Sequence, residues 1–349
     1  MRNAGCCAPR SRAIMAWAAP KPTRRSTAAT ISPSDFRRTN MASVLITGGT
    51  GLIGWCAVEA LIEQGHGVVV YDLKPNMENI AHLGNRVSVV AGDVTDLPKL
   101  LNTMRLHGVD HVLHLAAFIT DQAKLDPAGA FKVNAVGTAN IFDAALALGV
   151  RRVVWTSSVV ALGVGPGYDG TPVDESYSVV SRSPYGASKW GCEVIAEGYR
   201  DLGLDIVGIR PALSYGLGRL TGGTGVFNSA IRAVALGQPA GIMGSPSGLH
   251  QPMYNRDMAG LLIEAMLGPK PEHGIFNVPA ERDYSDEDVL AILRRVCPGA
   301  VVHTDPVPAY IPAIPMVDGR RARREIAYTP RYTLEDGIRE MVEAFRREE

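Results

Sequence analysis

Ser43-Val44-Leu45-Ile46-Thr47-Gly48-Gly49-Thr50-Gly51-Leu52-Ile53-Gly54 is the stretch of this 349-residue chain from which its fold is read. Ser43–Thr47 is a short apolar run with β-branched residues that stops at a glycine-rich turn, so it predicts a buried strand. Leu52–Gln64 then predicts a helix, ended by Gly65-His66-Gly67. Three glycines spaced Gly48-x-x-Gly51-x-x-Gly54 between a strand and a helix suit a bound phosphate. They permit a tight turn, close approach of backbone to ligand, and close helix–strand packing. The helix N-terminus adds unpaired N–H groups and the positive end of its dipole.

The same rhythm continues. Val68–Tyr71 reads as a second strand closed by Asp72, Val87–Val90 as a third before Gly92-Asp93, and His111–Leu115 as a fourth. Arg152–Thr156 makes a fifth and Asp205–Ile209 a sixth, with helices between, the longest over Pro127–Leu148 and another over Tyr185–Arg200. Strands separated by single helices imply right-handed crossovers and an α/β fold with a doubly wound parallel (Rossmann) sheet. Beyond Pro211 the rhythm breaks and Gly216, Gly218, Gly222, Gly223 and Gly225 crowd together. The expected organisation is a tail over 1–40, a dinucleotide-binding domain over 41–210, and a smaller α/β substrate region over 211–349. That region would lie against the carboxyl ends of the strands, where such sheets bind ligands. Asp72 lies 18 residues after Gly54, suited to bonding the adenosine ribose hydroxyls and repelling a 2′-phosphate. The cofactor is therefore expected to be NAD rather than NADP. Lys74 either softens this preference or is simply solvated, and Asp93 either meets the adenine edge or serves a turn.

Tyr185 and Lys189 stand four apart on a predicted helix and share a face. Lys189 can bond the nicotinamide ribose while its charge favours the Tyr185 phenolate. Such a phenolate is a general base for alcohol oxidation and, protonated, a general acid for carbonyl reduction. Ser158, just past the fifth strand, would hold the substrate oxygen; taken alone, Ser157 and Ser158 also suit a strand-end turn.

Composition narrows the classes. The chain is 46% hydrophobic with formal net charge zero, which gives no general argument for nucleic acid or an anionic membrane. That zero hides an asymmetry. Residues 1–40 hold eight Lys/Arg and one acid, Asp35, leaving 27 basic and 34 acidic residues from Met41 onward, a net −7. The first forty residues read as a targeting peptide, a disordered tail, or sequence ahead of a true start at Met41. Ala13–Ala19 is too short to span a membrane, and no later stretch approaches the needed length, so the chain reads as soluble. Cys6, Cys7, Cys56, Cys192 and Cys297 follow no metal or redox spacing; Cys56 and Cys192 read as core residues. A reducing, cytoplasmic setting is the default, with organelle targeting by residues 1–40 as the alternative.

Together these pieces resemble the extended short-chain dehydrogenase/reductase family, in its NAD-dependent epimerase/dehydratase branch, over roughly residues 43–345. Beyond the glycine loop and Tyr185-Gly186-Ala187-Ser188-Lys189, the similar pieces are Gly92-Asp93-Val94, His114-Leu115-Ala116-Ala117, Val133–Thr138, Thr156-Ser157-Ser158, Arg210–Gly216 and Thr333–Ile338. The resemblance implies that Ser158, Tyr185 and Lys189 are catalytic. It implies that Gly48, Gly51, Leu52, Ile53, Gly54, Asp72, Asp93, Val94, Leu115–Ala117 (Ala116 included), Asn134, Pro211 and Leu213 bind the cofactor with Tyr185 and Lys189, Asn134 supporting the site, and that His114 is packing. A homodimer through the long helices is also implied.

Three departures from the family pattern bear on the substrate. Val159 and Val160 follow Ser158 where dehydratases place an Asp-Glu pair; Leu213 stands where many nucleotide-sugar members have Asn; His250 aligns with an Arg. Arg219 and Arg232 are the available replacements for a diphosphate-binding charge. The preferred reading is an NAD-dependent oxidoreductase acting on a small molecule without a nucleotide: a sugar acid, hydroxy acid, amino acid or sterol-like carbinol. A nucleotide-sugar 4-epimerase is the alternative and an NAD-sensing binding protein the third. Substrate loops are expected at Phe118–Asp126, Val164–Arg182 and Ser214–Phe227.

Overall fold

Alternation along the first strand sets up the layers. In β1 (Ser43–Thr47), Val44 and Ile46 are buried on one face and Leu45 on the other, all fully enclosed. Both faces must therefore be covered, as in a parallel sheet with helices on each side. The computed structural model describes residues 41–220, 225–245, 247–307, 313–327 and 329–347, so the tail reading of 1–40 lies outside the described residues.

In chain order β1 leads through α1 (Gly54–Glu63), β2 (Gly67–Asp72), β3 (Ser88–Ala91), α2 (Leu97–Leu106) and β4 (His111–His114). Then come α3 (Thr120–Leu125), α4 (Pro127–Ala130), α5 (Gly137–Leu148), β5 (Arg152–Thr156), α6 (Pro184–Asp201) and β6 (Ile206–Pro211). The remainder runs β7 (Leu213–Tyr215), α7 (Gly225–Ala235), β8 (Ala240–Met243), β9 (Leu249–His250), β10 (Pro252–Tyr254), α8 (Asn255–Leu267), β11 (Ile275–Val278), β12 (Tyr284–Ser285), α9 (Asp286–Val296), β13 (Val302–Asp305), α10 (Arg320–Glu325) and α11 (Leu334–Arg347).

The central sheet has seven parallel strands in the order β3-β2-β1-β4-β5-β6-β11. Strand order reverses between β1 and β4, which opens the crevice where doubly wound sheets bind ligands. On one face α1 and α8 cover Val44, Ile46 and Val70; on the other α2, α5 and α6 cover Leu45, Val69 and Tyr71. A separate apolar cluster of α7, α9 and α11, including Ile231, Leu293, Ile338 and Phe345, anchors the C-terminal elements. The doubly wound α/β sheet is as expected.

Two details differ from the reading of the sequence. β11 joins the sheet from well past residue 210, so the chain from Met41 onward forms one compact unit. The expected helix over 127–148 is interrupted by a π-helical segment, Phe131–Val136, between α4 and α5. Such insertions often serve a site. Here Asn134 uses its side chain on other elements, as described below.

Candidate active site

A cavity of about 570 Å³ runs along the carboxyl ends of the strands, from Asp72 and Asp93 at one end to Met243, His250 and Met316 at the other. Among the residues expected from the sequence, Gly48, Gly51, Leu52, Ile53, Gly54, Asp72, Asp93, Val94, Leu115, Ala116, Ala117, Ser158, Tyr185, Lys189, Pro211 and Leu213 all line it.

The glycine loop is shaped by contacts that a side chain would destroy. Gly48 has φ +66°, its N–H donates to the Tyr71 carbonyl at 3.0 Å, and its oxygen accepts from Gly51 N. A Cβ on Gly48 would sit 2.9 Å from Ala116 N, and one on Gly54 only 2.3 Å from the Gly48 oxygen. α1 therefore begins against the backbone of the turn, at Gly54 rather than at Leu52, because Gly51–Ile53 remain in the turn. A cradle that only glycine permits, opening on a helix N-terminus, fits the pyrophosphate of NAD.

At the Asp72 end of the cavity Thr50 Oγ1 donates to Asp72 Oδ2 at 2.8 Å, and Lys74 N donates to Asp72 Oδ1 at 3.2 Å. The sequence offered no sign of this brace, because Thr50 lies inside the loop and Asp72 at the end of the next strand. Asp93 accepts Thr95 N–H in a turn at 2.8 Å and also lines the cavity, so it serves the turn while facing the ligand space.

At the Tyr185 end α6 starts at a Ser183 cap that accepts Gly186 N–H. A Cβ on Gly186 would lie 2.1 Å from the Val160 carbonyl, so α6 presses directly on the turn after β5 and brings Tyr185 and Ser158 to one wall. Buried Lys189 donates from Nζ to the Thr156 carbonyl at 2.7 Å. Ser157 and Ser158 are distinguished by their partners. Ser157 Oγ donates to Glu193 Oε1 at 2.5 Å, and Glu193 is gripped by Arg210 at 2.8 and 2.6 Å. Ser158 Oγ accepts Val160 N–H at 3.1 Å, and among the described contacts its hydroxyl hydrogen has no acceptor. The sequence reading missed the Glu193–Arg210 pair, although Glu193 follows Lys189 by four residues on the same helix face.

Asn134 does not line the cavity. It is fully buried, its Oδ1 accepting from Phe118 N at 2.7 Å and its Nδ2 donating to Phe118 O and to Ser188 Oγ at 2.9 Å. It ties the segment after β4 to the residue beside Lys189. His114 is enclosed as well. Thr47 Oγ1 accepts from Leu115 N and Ala116 N, so its hydrogen goes to His114 Nδ1, leaving Nε2–H to donate to Thr138 Oγ1. Burial, aided by the Lys189 charge, pushes its pKa down to about 3, so it is neutral packing.

The substrate end departs from expectation in one loop. Phe118, Ile119, Thr120 and Gln122 line it, as do Ser214, Arg219, Val226 and Phe227, but no residue of Val164–Arg182 does. That loop lies behind the wall: Val173 pairs with Val317, and Tyr168 OH accepts Met316 N–H at 2.8 Å. Residues 243–245, 247, 249–251 and 314–316 take its place, among them Met243, Leu249, Ile314 and Met316. The only carboxylates among the described lining residues are Asp72 and Asp93, at the far end. The cations are Lys74, Lys189 and Arg219. His250 Nε2 is bonded to Asp286 Oδ1 at 2.6 Å.

No helix among the described residues is long and apolar enough to cross a membrane. Cys56, Cys192 and Cys297 are buried and unbridged.

The chain is 32% identical over 315 residues to a UDP-glucose 4-epimerase of Mycolicibacterium smegmatis, covering 86% of this chain and 98% of the relative. Its fold superposes on the NAD complex of the Thermus thermophilus UDP-glucose 4-epimerase with TM-score 0.76 at 25% identity, over 87% of this chain and 99% of the other. The Thermotoga maritima UDP-glucose 4-epimerase with UDP-glucose gives 0.77 at 26%, over 88% and 99%. Residues 44–278 match the family model for NAD-dependent epimerases and dehydratases. An NAD-fitting cleft, a doubly wound sheet and this match agree: the chain is an enzyme of the NAD-dependent epimerase/dehydratase family.

Proposed function

We propose that the chain is an NAD-dependent oxidoreductase acting at a secondary carbinol or carbonyl of a substrate that carries no nucleotide. Gly48, Gly51 and Gly54 would hold the pyrophosphate and Asp72 the adenosine ribose, with NADP disfavoured by the carboxylate. Bound NAD supplies the two-electron acceptor: a carbinol loses its C–H as hydride and its O–H as a proton, giving a carbonyl, NADH and H⁺. Ser158 donates its uncommitted hydroxyl hydrogen to the substrate oxygen. Tyr185 takes the proton in oxidation and returns it in reduction. Lys189, fixed by Thr156, holds a cation beside that transfer. Asn134 and Ser188 position the helix that carries both.

The observation that carries the reading is the charge inventory of the cavity. A diphosphate calls for several charge-assisted donors. The substrate end offers Arg219, while His250 is already bonded to Asp286 and Leu213 brings no polar group. With Val159 and Val160 after Ser158, and no carboxylate among the described residues that line this end, elimination of water lacks its acid and base. The test is to denature the purified protein and quantify released nucleotide, then supply NAD with secondary alcohols, hydroxy acids and sugar acids and follow NADH. Little bound nucleotide and net NADH support the reading. Near-stoichiometric captive NAD with interconversion of UDP-sugars and no net NADH overturns it.

That second outcome is the nucleotide-sugar 4-epimerase reading, which the UDP-glucose 4-epimerase relatives favour. We also propose a homodimer through α5 and α6, which would cover the exposed Leu146 and Val194, and a reducing cytoplasmic setting in keeping with three buried thiols. Sedimentation as a monomer at micromolar concentration would remove the dimer.

A further inference from the structure

We infer that Glu193 and Arg210 are positioning residues for the acid–base chemistry: their ion pair clamps α6 to β6 and so sets where the Tyr185 hydroxyl stands. This rests on Tyr185 as the proton carrier, which the dehydrogenase and epimerase readings share. Tyr185, Lys189 and Glu193 follow one another at four-residue intervals, so they form one stripe along α6. The end of β5 holds two successive turns of that stripe. Thr156 O accepts from Lys189 Nζ at 2.7 Å, and Ser157 Oγ donates to Glu193 Oε1 at 2.5 Å. Arg210, on the neighbouring strand β6, closes the clamp: Nε donates to Glu193 Oε1 at 2.8 Å and Nη2 to Oε2 at 2.6 Å.

Arg210 is itself braced from behind. Its Nη1 donates to Asn277 Oδ1 at 3.4 Å, across the β6–β11 pairing that sets these two residues side by side. Asn277 N donates to Glu175 Oε1 at 2.8 Å, and Arg321 of α10 meets the other Glu175 oxygen at 3.2 Å. The line from Ser157 to Arg321 thus joins β5, α6, β6, β11 and α10.

Glu193 and Arg210 are both buried, and the cost of desolvating two charges offsets much of their attraction. Such a pair adds little stability over an apolar pair of the same size; what its two-pronged fork adds is orientation. Orientation is what α6 needs. Its buried residues are Gly186, Ser188, Lys189, Cys192, Glu193 and Ala196, none of them a large apolar side chain that could interlock with the sheet and fix the helix. Polar bonds therefore hold its register, and Lys189 and Tyr185 lie about one and two turns from the clamp.

The test places 3-fluorotyrosine at position 185 of the full chain and reads its fluorine NMR line with NAD present, which requires no substrate. Glu193→Gln, and Arg210→Lys, which keeps the charge but not the fork, should each shift or split that line. Glu197→Gln, exposed about one turn further along α6, should leave it unchanged. Turnover is followed as NADH from 3-hydroxybutanoate and gluconate and as conversion of UDP-glucose. On whichever of these reacts, Glu193→Gln should lower kcat by roughly ten- to a hundredfold, with KM and NAD affinity within about twofold. The same substitution should cost less than about twofold once Tyr185 is Phe, because no hydroxyl is left to misplace. If either clamp variant fails to fold, the paired Glu193→Gln/Arg210→Gln chain leaves no buried charge unpaired and is read in the same way. An unchanged fluorine line in the folded variants overturns the inference, as do kcat losses that simply add to that of Tyr185→Phe. Full turnover by Tyr185→Phe overturns the role of Tyr185 instead, while the fluorine line still decides whether the clamp places it.

Discussion

Replacing Gly54 by Ala tests the cofactor cradle at its tightest point. The added Cβ would lie 2.3 Å from the Gly48 oxygen and 2.7 Å from the Gly49 Cα and carbonyl carbon, all backbone atoms. Ordinary contact begins at about 3.4 Å, so the turn and the start of α1 must separate by roughly 1 Å. No flexible side chain can absorb that movement. The Gly51 N–H bond to the Gly48 oxygen, at 3.0 Å, would be disturbed with it, and the N–H groups facing the pyrophosphate would lose aim. Losing one charge-assisted hydrogen bond, worth about 1.5–3 kcal/mol, weakens NAD by roughly ten- to a hundredfold. Calorimetry on a variant shown to be folded by circular dichroism measures it. Gly191→Ala, in α6 where a Cβ meets nothing within 4 Å, is the matched control and should leave NAD affinity unchanged. A Gly54→Ala protein that binds NAD within about twofold of wild type would refute the cradle argument.

Further expectations concern single groups. Asp72→Ala should narrow the gap between NAD and NADP affinity; an unchanged ratio would mean that the ribose contact lies elsewhere. Ser158→Ala should lower kcat by about ten- to a hundredfold, one lost hydrogen bond in the transition state, with NAD binding intact. Ser157→Ala should instead cost about 1–2 kcal/mol of stability, because Glu193 loses a buried donor, and equal kinetic loss in both variants would erase the distinction. Acid should destabilise the fold from about pH 6.5 downward. His114 and His66 both have lowered pKa values, so between roughly pH 6.5 and 5 the unfolded chain binds protons that the native state refuses. Stability should then fall with pH, by up to about 1.4 kcal/mol per unit for the fully buried His114, as read by urea unfolding at stepped pH. A flat profile across that window would contradict the neutral, enclosed His114.

The sheet was legible because its first six strands are short apolar runs, most of them rich in β-branched residues, and the observed ends fall within about two residues of those runs. The glycine loop and Asp72, which line the cavity, were legible for the same local reason: a glycine loop and an aspartate at a strand end need only nearby sequence. What stayed hidden depends on distant partners. The π-helical break at Phe131–Val136 exists where the Asn134 side chain bonds Phe118 and Ser188, which no helical periodicity encodes. β11 is four residues, Ile275–Val278, and pairs with β6 across more than sixty positions. The substrate wall was misplaced in one loop because Val164–Arg182 has loop composition but packs behind residues 314–316. Arg219 stood in the sequence only as one candidate charge, and its place on the cavity wall is a product of folding.

The most direct test of the central claim is Tyr185→Phe, which removes one oxygen from the cavity and leaves Lys189 and Ser158 in place. NAD affinity, measured by calorimetry, should stay within about twofold, while turnover of the best substrate found should drop by about 10²–10⁴-fold, as expected when a positioned acid–base group is lost. A variant that binds NAD and turns over at near the wild-type rate would contradict the account.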